Sequence, residues 1–190
     1  MTRAARLLPA LVGLLLLTGC AGEPSATEEP APAGSTTTSS AEPGTEATPS
    51  SRDEDQPVPE TLDFTATTVS GDPFAGASLA GRPVLLWFWA PWCPTCRSQI
   101  PQVQGLAEQY GDEVAVVGVG SLDSAEAIAA FAEEVDGVTH LEDLDGALYR
   151  KFGIAEQSSF VLLDADGVVA FETGYGGSDE LAAEVADVVG

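Results

Sequence analysis

From residue 60 onward the hydrophobic positions fall into short, separate blocks. In "TLDFTATT" Leu62, Phe64 and Ala66 alternate with polar residues, which predicts a half-exposed strand. "VLLWFW", Val84 to Trp89, is apolar throughout and predicts a strand buried on both faces. A helix is expected next, from about Cys93 to Tyr110, and then a second buried strand in "EVAVVGVGS". Asp123 is expected to cap the following helix, with Glu126 three residues on as in a capping box. Ile128, Phe131 and Val135 then fall on one helical face. "FVLLDADGVVAFET" reads as two strands joined by an Asp-Gly turn. In "SDELAAEVADVV" Ser178 suits an N-cap, acids occupy the first turn, and Leu181, Val185 and Val188 share a stripe. The order β-α-β-α, hairpin, α predicts an α/β domain: a mixed central sheet flanked by helices, with a β extension at its N-terminal side.

Before residue 60 the pattern is different. "MTRAARLLPALVGLLLLTGC" places Arg3 and Arg6 ahead of an apolar run from Leu7 to Leu17, then small residues. That is the layout of an export signal over residues 1–19. The run falls short of the about 20 apolar residues of a membrane span, the alternative being a short anchor. "LTGC" resembles the bacterial lipobox. The resemblance implies cleavage before Cys20 and a diacylglyceryl group on its thiol, which would hold the protein at the membrane. Two acyl chains anchor stably where one binds only marginally. Residues 21–59 contain no Leu, Ile, Phe, Trp or Tyr. A segment so poor in apolar surface cannot offset its ordering entropy, so residues 20–59 are expected to be a disordered tether. As a flexible coil it would span roughly 35 Å. Residues 60–190 are left as the folded domain.

Charge narrows the partners. The formal charge is −23, and two of the seven basic residues lie in the leader while all 30 acidic ones lie beyond it. Such a surface repels nucleic acid and anionic headgroups, and a soluble monomer is expected.

The chemistry centres on Cys93 and Cys96, where a buried strand turns into a helix. Cysteines at helix N-termini reach pKa values of about 3.5–7.5, against about 8.5 for a free thiol. Cys93, just ahead of the helix, is expected to be the exposed nucleophile. Cys96, one turn in, is the expected resolving thiol. Arg97 could add positive charge nearby. A zinc or iron–sulfur site needs about four ligands, and only Cys20 and the lone His140 remain to supply them. A purely structural bridge would close almost no loop. No metal and no separate cofactor are therefore expected. His140 reads as structural more readily than as a proton shuttle, and "DADG" at 164–167 reads as a turn, not half a calcium loop.

"WFWAPWCPTCRSQIP" resembles the active site of the thioredoxin-like superfamily, and within it the membrane-facing TlpA/ResA/DsbE-like group. "LAGRPVLLWFWA", "GALYRKFGI" and "FVLLDADGVV" resemble its flanking segments, and the likeness spans nearly all of residues 60–190. It implies a thioredoxin fold and a thiol–disulfide oxidoreductase acting on exported protein dithiols or disulfides. The reaction could be reductive, for cytochrome c maturation, or oxidative, for secreted proteins, with a membrane redox partner. Trp92, Pro94, Gln157 and Ser158 are the implied substrate-binding residues. Ser158 stands where the group usually has a cis-proline. Trp87 stands where thioredoxins bury a carboxylate. Two other readings are carried: a thiol peroxidase on the same fold, for which Ala90 replaces the expected threonine, and a non-catalytic metal carrier.

Overall fold

The computed structural model describes residues 57–190. The leader, Cys20 and the tether up to residue 56 lie outside the described residues. Seven strands and four helices follow one another: β1 Thr65–Thr68, β2 Pro73–Ala75, β3 Val84–Trp89, α1 Pro94–Tyr110, β4 Ala115–Gly120, α2 Ala125–Ala132, β5 Thr139–Glu142, α3 Ala147–Lys151, β6 Ser159–Leu163, β7 Val169–Thr173 and α4 Leu181–Val189. The sheet order is β2-β1-β5-β4-β3-β6-β7. β3, β4 and β5 run parallel; β6 and β7 at one side and β1 and β2 at the other are antiparallel to their neighbours. This is the expected mixed sheet, with β1 and β2 as the N-terminal extension.

β3 sits near the middle and is buried at all six positions, as is β4. Period-two alternation therefore feeds two separate cores. Leu85, Trp87 and Trp89 pack with Val103 and Leu106 of α1, Ile128 and Phe131 of α2, and Leu181 and Val185 of α4. Val84, Leu86 and Phe88 pack on the other face with Leu148 and Tyr149 of α3, and with Leu62 and Leu79.

The first core depends on two glycines. Gly118 pairs with Trp87 and with His140, and Gly120 pairs with Trp89. A Cβ on Gly118 would collide with the His140 ring and lie 2.8 Å from Trp89 Nε1, and one on Gly120 would lie 2.7 Å from the Trp89 ring. The bare backbone of β4 is the space these rings occupy. Trp89 stacks on Phe131 at 4.4 Å between centroids, and His140 meets Trp89 edge-on at 5.4 Å.

Several expectations are corrected. The alternation at 61–68 is not one strand: Leu62 lies in a 3-10 turn, Glu60–Leu62, and pairing begins at Thr65. The apolar residues share a core, but Thr61 Oγ1 donates to Gly167 O and ties the segment to the β6–β7 turn instead. Ser124, not Asp123, caps α2: its Oγ accepts from Ala127 N, while the Asp123 carboxylate is occupied by Ser124 N. Ser178 does not cap α4, which starts at Leu181 after Glu180. The Ser178 carbonyl is used instead, accepting from Gln102 Nε2 and Leu181 N. The Asp-Gly turn forms as expected, with Asp164 Oδ1 accepting from Asp166 N and Val168 N.

His140 is buried with neither ring nitrogen hydrogen-bonded. Burial pushes its pKa down from 6.5 to about 4, so the fold holds it neutral. Between those values the unfolded chain binds the extra proton, so its contribution to stability is lost as pH falls from 6.5 through about 4. In urea denaturation the wild type should lose up to about 3 kcal/mol of stability relative to His140→Leu between pH 7 and pH 4. Gly118→Ala should cost about 1–3 kcal/mol in the same measurement at pH 7, because its methyl has to displace two packed rings.

Candidate active site

β3 ends at Trp89, and the chain turns once before α1, with Cys93 N donating to Ala90 O at 3.1 Å. Pro94 takes the first helical position, where a missing N–H costs nothing. Cys93 is therefore the N-cap, and its Sγ accepts the Cys96 N–H at 3.1 Å. Such a bond offers partial positive charge to the sulfur, as the dipole of a helix N-terminus does. Both thiols are free and buried, which corrects the expectation of an exposed Cys93: as N-cap beneath the turn from β3 its sulfur is covered. The Cys96 thiol is pushed up to about 12, first by burial and then by its neighbour Cys93; the Ala90 backbone and the Ser158 side chain act in the opposite direction. One sulfur is thus served by an amide while the other is held as a neutral thiol.

Gln99, one turn beyond Cys96 on the same face, is buried. Its Oε1 accepts from Trp87 Nε1 at 2.9 Å, and its Nε2 donates to Ser158 O at 3.5 Å. Trp87 does occupy the place below the cysteines, and its indole N–H is satisfied from α1.

Ser158 lies on the loop before β6, fully buried, on a trans bond and with φ 66°. Left-handed backbone is costly for a residue other than glycine, Asn or Asp. Three bonds hold it: Ser158 N donates to Phe88 O at 2.7 Å, and Ser158 O accepts from Gly176 N at 2.8 Å and from Gln99. Its hydroxyl has no hydrogen-bond partner.

The remaining expected residues separate by exposure. Trp92 is 55% exposed, and its Nε1 donates to Leu122 O at 3.1 Å. Trp89 is fully buried. Pro94 is exposed and Gln157 half-buried. Arg97 is turned to other partners: it pairs with Glu134, donates to Pro91 O and lies 4.8 Å above the Phe131 ring. Among the described residues no three His, Cys, Asp or Glu side chains converge as a metal site, and no helix is long and apolar enough to cross a membrane.

Sequence reasoning missed three residues. Gln99 was legible in principle, since Cys96, Gln99, Val103 and Leu106 follow a helical stripe that has to face inward. Leu122 and Tyr175 were not. Leu122 is exposed with φ 65°, and Tyr175 exchanges a hydrogen bond with Thr95 Oγ1 at 2.8 Å. Both reach the cysteine turn from loops distant in sequence.

The chain is similar to known proteins. Residues 56–172 match the family model described as the AhpC/TSA family. The soluble secreted antigen MPT53 of Mycobacterium tuberculosis is 39% identical over 131 residues, covering 67% of this chain and 75% of that protein. The structure of MTB DsbF in mixed oxidized and reduced forms aligns with a TM-score of 0.65 at 39% identity, covering 70% of this chain and 99% of that one. A secreted M. tuberculosis disulfide oxidoreductase homologous to E. coli DsbE aligns with a TM-score of 0.60 at 36% identity, covering 67% and 98%. The chain belongs to the AhpC/TSA family and is, with these relatives, a thiol–disulfide oxidoreductase of thioredoxin fold.

Proposed function

We propose that this protein is an extracytoplasmic oxidant of exported polypeptides, tethered by lipid on Cys20 through residues 20–59 to a catalytic domain at 60–190. The observation that carries the chemistry is the Cys93 Sγ accepting the Cys96 N–H at a helix N-terminus. Cys93 is the exchanging sulfur and Cys96 its internal partner. A substrate thiolate attacks Cys93 of the Cys93–Cys96 disulfide, a mixed disulfide forms, and a second substrate thiol releases it. Two electrons pass to the enzyme, and a membrane redox partner removes them. A stabilised reduced form makes a dithiol a stronger oxidant, and an amide on the exchanging sulfur works in that direction.

Location is supported by the leader, by the lipobox resemblance and by the secreted relatives. The exposed Trp92, with Leu122 and Tyr175 beside the cysteine turn, suits apolar side chains of an unfolded substrate, with Pro94 and Gln157 as further contacts. The chain acts as a monomer. The peroxidase reading is disfavoured by Ala90, whose methyl offers no hydroxyl to a peroxide and whose carbonyl is already bonded to Cys93 N.

Cys93→Ser should reduce exchange with a reduced, unfolded protein to background, while Cys96→Ser, mixed with a disulfide-bonded polypeptide, should accumulate the mixed disulfide on non-reducing gels, Cys93 attacking the substrate disulfide and one substrate thiol leaving. A Cys93→Ser protein exchanging at the wild-type rate overturns the assignment. Titration of the couple against glutathione should give a potential less negative than roughly −200 mV, whereas a value near −270 mV, as in thioredoxin, would make the protein a reductant.

A further inference from the structure

Opening the Cys93–Cys96 disulfide leaves charge on Cys96, which is fully buried. The carboxylate that thioredoxins place beneath the cysteines is replaced by Trp87, whose N–H is already spent on Gln99. Among the described buried polar side-chain atoms, only Trp89 Nε1, the two His140 nitrogens and Ser158 Oγ are unpartnered. Trp89 and His140 pack against each other around Gly118. Ser158 belongs to the cysteines: its backbone carbonyl is held by Gln99, which shares a face of α1 with Cys96.

An unpartnered buried hydroxyl is costly, and so is a left-handed serine. Both occur at one residue, and three hydrogen bonds to its backbone, one of them from the Gln99 side chain, fix it there. The hydroxyl also acts on the Cys96 thiol, against the effect of burial.

We propose that Ser158 stabilises the charge on Cys96, donating its hydroxyl hydrogen to Cys96 Sγ as the active-site disulfide opens. The inference rests on the exchange chemistry proposed above. In that step a substrate thiolate bonds to Cys93 Sγ, the Cys93–Cys96 bond breaks, and its electron pair leaves on Cys96. The proton given up by the substrate thiol ends on Cys96 Sγ. Ser158 keeps its own proton and lends a hydrogen bond while the charge exists. Closure of the ring is the same step reversed. Gln99 and Trp87 are positioning groups: Trp87 fixes the Gln99 amide, and Gln99 holds the Ser158 carbonyl.

Ser158→Ala removes the hydroxyl and keeps the backbone strain, while Ser158→Gly removes both. Opening of the oxidised protein by glutathione, followed by quenched-flow mass measurement, should slow about tenfold in both variants. Alkylation of Cys93 in the reduced variants should stay within about twofold of wild type, since Cys96 does not depart in that reaction. In a Cys93→Ala background, the ultraviolet thiolate absorbance of Cys96 should titrate at higher pH when Ser158 is replaced. An unchanged opening rate in Ser158→Ala, or a wild-type rate in Ser158→Gly, overturns the proposal. Equal slowing of Cys93 alkylation also overturns it, by making the effect structural. A wild-type protein whose disulfide glutathione does not open would instead overturn the exchange reading itself.

Discussion

A buried indole N–H without a partner is costly, and the one Trp87 places beneath the site is met by Gln99. Leaving it unsatisfied would cost on the order of 1–3 kcal/mol. Gln99 supplies the acceptor, which fixes the rotation of α1 about its axis over β3. That rotation decides where Cys93 and Cys96 point, since both belong to the same turn. The other end of the amide reaches the Ser158 carbonyl and sets the loop that faces the cysteines. One side chain thus links the strand below the site, the helix carrying it and the loop opposite.

Much of the fold was legible because burial writes itself into the chain. β3 and β4 are uninterrupted apolar runs, and both are buried on two faces. α1 begins one residue from its expected start because proline at the first helical position is an unambiguous local signal. What failed were choices between adjacent polar residues. Asp123 and Ser124 are both good caps, and only the backbone path decides which one faces the open N–H groups. The three-residue β2 is too short to carry a period.

The site was legible in its sulfur and less so in its surroundings. Cys93 and Cys96 announce themselves by spacing and by the proline between them. Ser158 could be placed by resemblance, but its φ of 66° and its unpartnered hydroxyl follow from contacts with Phe88 and Gly176, which no local pattern encodes. Gln99 went unread although its helical stripe faces inward, because glutamine inside is rare unless a partner is known. Tyr175 and Leu122 come from loops whose approach depends on the whole sheet being closed.

All three tryptophans of the chain, Trp87, Trp89 and Trp92, lie within the seven residues that end at the first active-site cysteine. Two are sealed in the core and one is open to water. The domain therefore has no indole remote from the reactive sulfurs, and its entire tryptophan emission originates beside them. The protein carries a built-in optical gauge: a blue-shifted pair reporting the packing under the site, and a red-shifted single ring reporting what lands on its surface.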